Sequence, residues 1–140
     1  MIFLDSSALM KLTREEAETL ALRAWLADRP TESLVTSELG RVEVFRASRR
    51  AGADVLAEAR LVVADVDLIP LDRAVQDRAC ELGGWLLRTL DALHLASALL
   101  ISSELTALVA YDLRLLDAAE ATGLVVAAPG AEPAVLPPSN

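Results

Sequence analysis

Solid apolar runs of three to seven residues alternate along the 140-residue chain with longer stretches whose apolar positions recur every three or four residues. The runs suit strands covered on both faces, and the spaced stretches suit amphipathic helices. Met1–Leu4 is the first such run, with Asp5 at its carboxyl end and a short helix expected over Ser7–Leu12. Thr13-Arg14-Glu15-Glu16 reads as a capping box with Thr13 as N-cap. It opens a helix striped by Ala17, Leu20, Ala21, Ala24 and Trp25, which ends before Pro30.

Leu34–Thr36 is a second strand, followed by a helix capped by Thr36 or Ser37 that runs to about Arg50 and stops at Gly52. A helix over Val55–Val63 leads to a third strand within Asp65–Leu71, where Asp65 and Asp67 are expected to be solvated. Asp72 caps a helix that stops at Gly83-Gly84, and the stretch Thr89–Ser103, apolar on nearly every side, reads as a central helix. Leu105–Tyr111 is a fourth strand, Asp112 caps the helix Leu113–Thr122, Gly123 ends it, and Leu124–Val126 is a fifth strand. Strands alternating with helices imply an α/β fold with a mainly parallel sheet of four to five strands. Residues 1–129 form one domain, and the Pro-rich remainder, 130–140, reads as a flexible tail.

Composition narrows the chemistry. Hydrophobic residues make up 54% of the chain, which rules out a mainly disordered segment. The net charge of −8 argues against generic nucleic-acid binding, which leaves a basic footprint. It suits a metal site built from acids, or a partner that brings positive charge. Cys80 is the only cysteine, so no internal disulfide forms, and its helical setting reads as inert core. No basic segment followed by a long apolar stretch opens the chain, and a cytoplasmic location is expected.

Four acids stand in apolar company. Asp5 and Asp112 each follow a strand, Glu43 lies between Val42 and Val44, and Asp91 falls in the first turn of the most apolar helix. Each has a plain structural role available. Asp5 and Asp112 can cap helices, Glu43 can pair with Arg46, and Asp91 can meet the helix dipole. Together they deliver one acid each from two strands and two helices toward the carboxyl edge of the sheet, where open α/β sheets bind ligands. Like charges about 4 Å apart repel by about 4 kcal/mol at an effective dielectric near 20. A divalent cation offsets that cost, and oxygen ligands suit Mg²⁺ or Mn²⁺.

The chain resembles the PIN-domain ribonucleases, and among them the VapC-type toxins of toxin–antitoxin pairs. The likeness rests on Leu4-Asp5-Ser6-Ser7-Ala8-Leu9, Val42-Glu43, Arg88-Thr89-Leu90-Asp91-Ala92-Leu93-His94-Leu95-Ala96 and Tyr111-Asp112-Leu113-Arg114-Leu115 with the later Gly123, and it covers about Met1–Pro129. The resemblance implies a three-layer α/β/α fold and Mg²⁺- or Mn²⁺-dependent endonucleolytic cleavage of RNA. It also implies a ligand set of Asp5, Glu43, Asp91 and Asp112, and a cognate antitoxin protein that inserts into the cleft. Ser6 would be the hydroxyl beside the first acid, and Asp117 a further acid or, more simply, a solvated helix residue. Ala110 stands where many relatives carry Thr, which removes a hydroxyl beside Asp112.

His94, three residues after Asp91, suits a buried structural histidine better than a ligand. Arg41, Arg46, Arg49 and Arg50 gather on the helix of Glu43 and are expected to contact phosphates. A homodimer through apolar helix faces, including Trp25, is expected as well. The competing reading is a catalytically silent PIN-like module that binds RNA or protein. A phosphatase is disfavoured because Ser6-Ser7 follows Asp5 in place of Asp-x-Asp, and a nucleotide-binding site because no Gly-rich loop with its lysine is present.

Overall fold

A computed structural model describes residues 1–84 and 86–131. Most of the tail expected over residues 130–140 lies outside the described residues; at its start the chain turns at Gly130 (φ +82°), where a Cβ would overlap the Ala21 side chain. The order of elements is β1 (Ile2–Leu4), α1 (Ser6–Thr13), α2 (Thr19–Ala27), β2 (Leu34–Ser37), α3 (Glu38–Ala51), α4 (Ala53–Ala64), β3 (Asp67–Ile69), α5 (Arg73–Glu81), α6 (Thr89–Leu100), β4 (Ala107–Val109), α7 (Leu113–Ala121) and β5 (Val126–Ala127). All five strands pair in parallel, in the order β3-β2-β1-β4-β5.

Parallel strands need helical crossovers, and these cover both faces of the sheet. Alternation along β1 divides the core. Ile2 and Leu4 point to one face, against Leu9 of α1, Leu22 of α2, Val44 of α3 and Val63 of α4. Phe3 points to the other, with Leu95 and Ala98 of α6 and Leu115 and Ala119 of α7. The result is three layers, α/β/α, as expected from the sequence.

Several local expectations fail for physical reasons. The capping box does not form: Thr13 ends α1 and its hydroxyl donates to the Leu9 carbonyl at 2.9 Å. The turn is held instead by Thr19, whose hydroxyl accepts from Glu16 N (2.9 Å) and donates to the Lys11 carbonyl (2.7 Å). The stripe expected on α2 is out of phase as well. Leu20 is 73% exposed and Leu22 is the buried residue, with Trp25 and Leu26 packed partly against the core. Cys80 is exposed, because α5 buries only Val75. Asp65 and Asp67 are solvated as anticipated. Strands β3 and β4 are shorter than their apolar runs, and α6 ends at Leu100, short of Ser103.

Candidate active site

The strand order reverses between β1 and β4, the place where open parallel sheets leave a crevice beyond their carboxyl ends. Asp5 follows β1 directly, and Asp112 follows β4 after two residues. Helix α3 leaves the carboxyl end of β2, so Glu43 in its second turn stays near that edge. Helix α6 runs back toward the start of β4, which places its first turn, and Asp91 with it, at the same edge. A cleft of about 340 Å³ is lined there by Asp5, Ser6, Ser7, Glu43, Arg88, Thr89, Leu90, Asp91, His94 and Asp112. The four acids singled out in the sequence meet in it, and Asp117 does not line it.

Each acid is held differently. Asp5, 4% exposed, caps α1 and accepts the Ser7 hydroxyl at 2.8 Å, with Ser6 Oγ more distant at 3.4 Å. The same Ser7 oxygen accepts from Tyr111 N at 3.0 Å, and Asp5 N donates to the Val109 carbonyl at 3.0 Å. Ser7 therefore pins the β1–α1 junction to the β4–α7 junction and sets Asp5 against Asp112. Sequence reading favoured Ser6; a hydroxyl at the second position of a helix capped by Asp was the available sign for Ser7. Asp112 caps α7 through Oδ1, which accepts from Arg114 N (2.9 Å) and Leu115 N (3.1 Å). Ala110 is fully buried.

His94 is the residue that sequence reasoning placed but undervalued. It is buried, as anticipated, but among the acids. Its Nε2 is hydrogen-bonded to Glu43 Oε1 and lies 3.5 Å from Asp5 Oδ1, while Nδ1 stands 3.3 Å from Ser37 Oγ. A carboxylate can only accept, so Nε2 carries the proton that faces Glu43. Burial opposes charging of the ring, yet Glu43, Asp5 and Asp91 outweigh it and raise the His94 pKa above the ordinary value. Gly40 makes room for this packing, since a Cβ there would overlap Thr36 Oγ1 and touch the imidazole.

Among the described residues, Asp91 has no such partner. Burial, then the charges of Asp112 and Asp5, push its pKa up, against smaller opposing effects from His94 and Arg88. This is the electrostatic mark of carboxylates crowded without enough positive charge. The donor set fits a hard divalent cation: all-oxygen, acidic and opening on the cleft. It is not a finished cage. Among the described residues, no three His, Cys, Asp or Glu side chains converge closely enough to hold an ion as they stand.

Comparison with known proteins follows the same lines. The PIN domain family matches residues 2–121. Ribonuclease VapC47 of Mycobacterium tuberculosis (strain CDC 1551 / Oshkosh) is 46% identical over 134 residues, covering 94% of this chain and 98% of the relative. Among solved structures, Mycobacterium tuberculosis VapC20, a Sarcin-Ricin loop cleaving toxin, superposes with a TM-score of 0.70 at 21% identity, covering 92% of this chain and 100% of that one. VapBC2 from Rickettsia felis, bound to a DNA fragment from their promoter, gives 0.71 at 12% identity, covering 91% and 98%. At those identities the two structures speak for the fold.

Proposed function

The chain belongs to the PIN-domain family, in its VapC-type branch, and from that premise we propose that it is an endoribonuclease toxin whose acidic cleft cleaves RNA phosphodiesters with a divalent cation. The observation that carries the reading is the meeting of Asp5, Glu43, Asp91 and Asp112, from four separated segments, in one cleft where Asp91 is held above its ordinary pKa.

Mg²⁺ or Mn²⁺ would be held by these four carboxylates. When bound it supplies charge neutralisation and Lewis-acid stabilisation for attack of water on phosphorus with departure of a ribose oxygen. The remaining chemistry belongs to the chain. Ser7 and the α1 amide fix Asp5, the α7 amides fix Asp112, and His94 fixes Glu43, so three of the four acids are held at the cleft by their own hydrogen bonds. Arg88, on the rim, offers a cation to a phosphate oxygen.

The acidic cleft also suits a protein partner that inserts an Arg side chain, and we assign that role to a cognate antitoxin. A homodimer places the exposed Leu20 of α2 in its interface. Among the described residues no helix is long and apolar enough to cross a membrane.

The test is cleavage of a single-stranded RNA with Mg²⁺ or Mn²⁺, with chelator, and with Asp5→Asn and Asp91→Asn. Cleavage only by the native chain with metal is expected. Activity surviving both substitutions would mean that these acids are not the centre. A native chain that binds RNA but never cuts it would leave the silent module standing.

A further inference from the structure

Five arginines, of the 13 Lys and Arg residues in the chain, crowd onto α3 and α4: Arg41, Arg46, Arg49, Arg50 and Arg60. Among the described residues, arginine pairs with a carboxylate only in Arg14–Glu16 and Arg78–Glu81, so none of the five is neutralised. Helix electrostatics explains two of them. Arg49 and Arg50 lie in the last turn of α3, where the dipole welcomes cations. It does not explain Arg41, set in the first turn of that helix where a cation is disfavoured, nor Arg60 on α4. Arginines at i, i+3 and i+4, as in Arg46, Arg49 and Arg50, also repel one another.

The side chains are arranged around two hollows. One, of about 360 Å³, is lined by Arg41, Phe45, Arg46, Arg49, Leu56 and Arg60. The Arg41 guanidinium lies 4.8 Å from the Phe45 ring centroid, which orients it at the hollow's edge. The other, of about 240 Å³, shares Arg46 with the first and Glu43, Ser6 and Ser7 with the acidic cleft. Three hollows thus adjoin in series around α3 through shared lining residues: the acids first, then Arg46 with Arg50, then Arg41, Arg49 and Arg60 on the next face of the helix.

We propose that this series is the track of the RNA strand, with the Arg41–Arg49–Arg60 hollow a phosphate-binding site away from the bond that is cut. The inference rests on the ribonuclease reading and deepens it. A polyanion approaching a chain of net charge −8 is repelled nearly everywhere, and this strip is where unpaired guanidiniums concentrate. Guanidiniums bind phosphate through paired N–H donors, and the contacts are independent of base identity. The hollow therefore anchors the strand while the acidic cleft, with its own cation, takes the scissile phosphate.

The experiment measures anisotropy of a fluorescein-labelled, twelve-nucleotide single-stranded RNA with the full chain in chelator, so that nothing is cleaved. It compares the native chain, R41A/R49A/R60A, and the charge-matched control R23A/R73A/R78A, each across a salt series. The hollow variant is expected to bind about tenfold more weakly, with a log–log salt slope shallower by about two units, while the control keeps the native slope. Should the alanine variant melt early, R41Q/R49Q/R60Q makes the same comparison. Equal losses in both triple variants, with native binding intact, overturn the track and leave the ribonuclease reading untouched. No RNA binding by the native chain overturns both. Competition by a poly-glutamate peptide as effective as by unlabelled RNA makes the hollow a general anion site and also overturns the track.

Discussion

Asp91 costs the fold stability that the site needs for function. Its pKa is raised, first by burial and then by Asp112 and Asp5, so its charged form is less favourable in the folded chain than in the unfolded one. Stability linked to this group therefore increases as pH falls through its folded pKa. Asp91→Asn is expected to raise the melting temperature in chelator by a few degrees while abolishing cleavage. Mn²⁺ should stabilise the native chain and not the variant; equal metal-induced shifts in thermal melts would contradict this. His94 gives a second prediction at this scale. His94→Leu removes the donor to Glu43, and a loss of about 10–100-fold in cleavage and Mn²⁺ affinity is expected. His94→Gln, which keeps an N–H donor near Glu43, should recover most of it. Equal defects in both variants would reduce the histidine to filler.

At the scale of elements, the site depends on how closely α3 approaches β2 and α6. Gly40 sits where a methyl would overlap the buried Thr36 hydroxyl. Gly40→Ala is expected to lower unfolding stability by about 1–3 kcal/mol in urea titrations, and to weaken cleavage by displacing Glu43 from His94. Helix α1 is fixed to the following turn by Lys11, 8% exposed, whose ammonium meets Glu16 (2.8 Å) and Glu18 (2.9 Å) and lies 4.6 Å from the Tyr111 ring centroid. Burial opposes the Lys11 charge, but the two glutamates raise its pKa, and the lysine in turn lowers theirs. The stabilisation is complete above the unfolded carboxylate pKa and below the unfolded lysine pKa, and fades as acid protonates the glutamates. Lys11→Met should flatten the acid limb of stability between about pH 5 and 3; an unchanged limb in urea melts would show the pair to be idle.

For the whole molecule, charge and apolar surface point to different partners. The arginine strip and the acidic cleft adjoin around α3, so one strand can be held at one and cut at the other. Leu20 stands 73% exposed on the far helix α2. Light scattering is expected to give twice the 14.9 kDa chain mass at micromolar concentration, and Leu20→Lys to shift it toward the monomer. A native chain at monomer mass would remove the dimer.

Sequence alone determined the α/β class, the parallel sheet, most element positions and the four acids. Those properties are written locally: apolar runs, caps such as Asp72 and Asp112, stops such as Gly52 and Gly123, and carboxylates out of place in apolar company. Tertiary structure alone decided which side chains meet. The phase of α2, the exposure of Cys80 and the true partner of Thr13 depend on what lies across the interface, and no local pattern encodes that. The same holds for Ser7 joining two loops, for His94 between Asp5 and Glu43, and for Arg60 joining arginines of another helix. Contacts between residues 51 or 104 positions apart are fixed by strand order and helix packing, so their chemistry becomes legible only once the chain has closed.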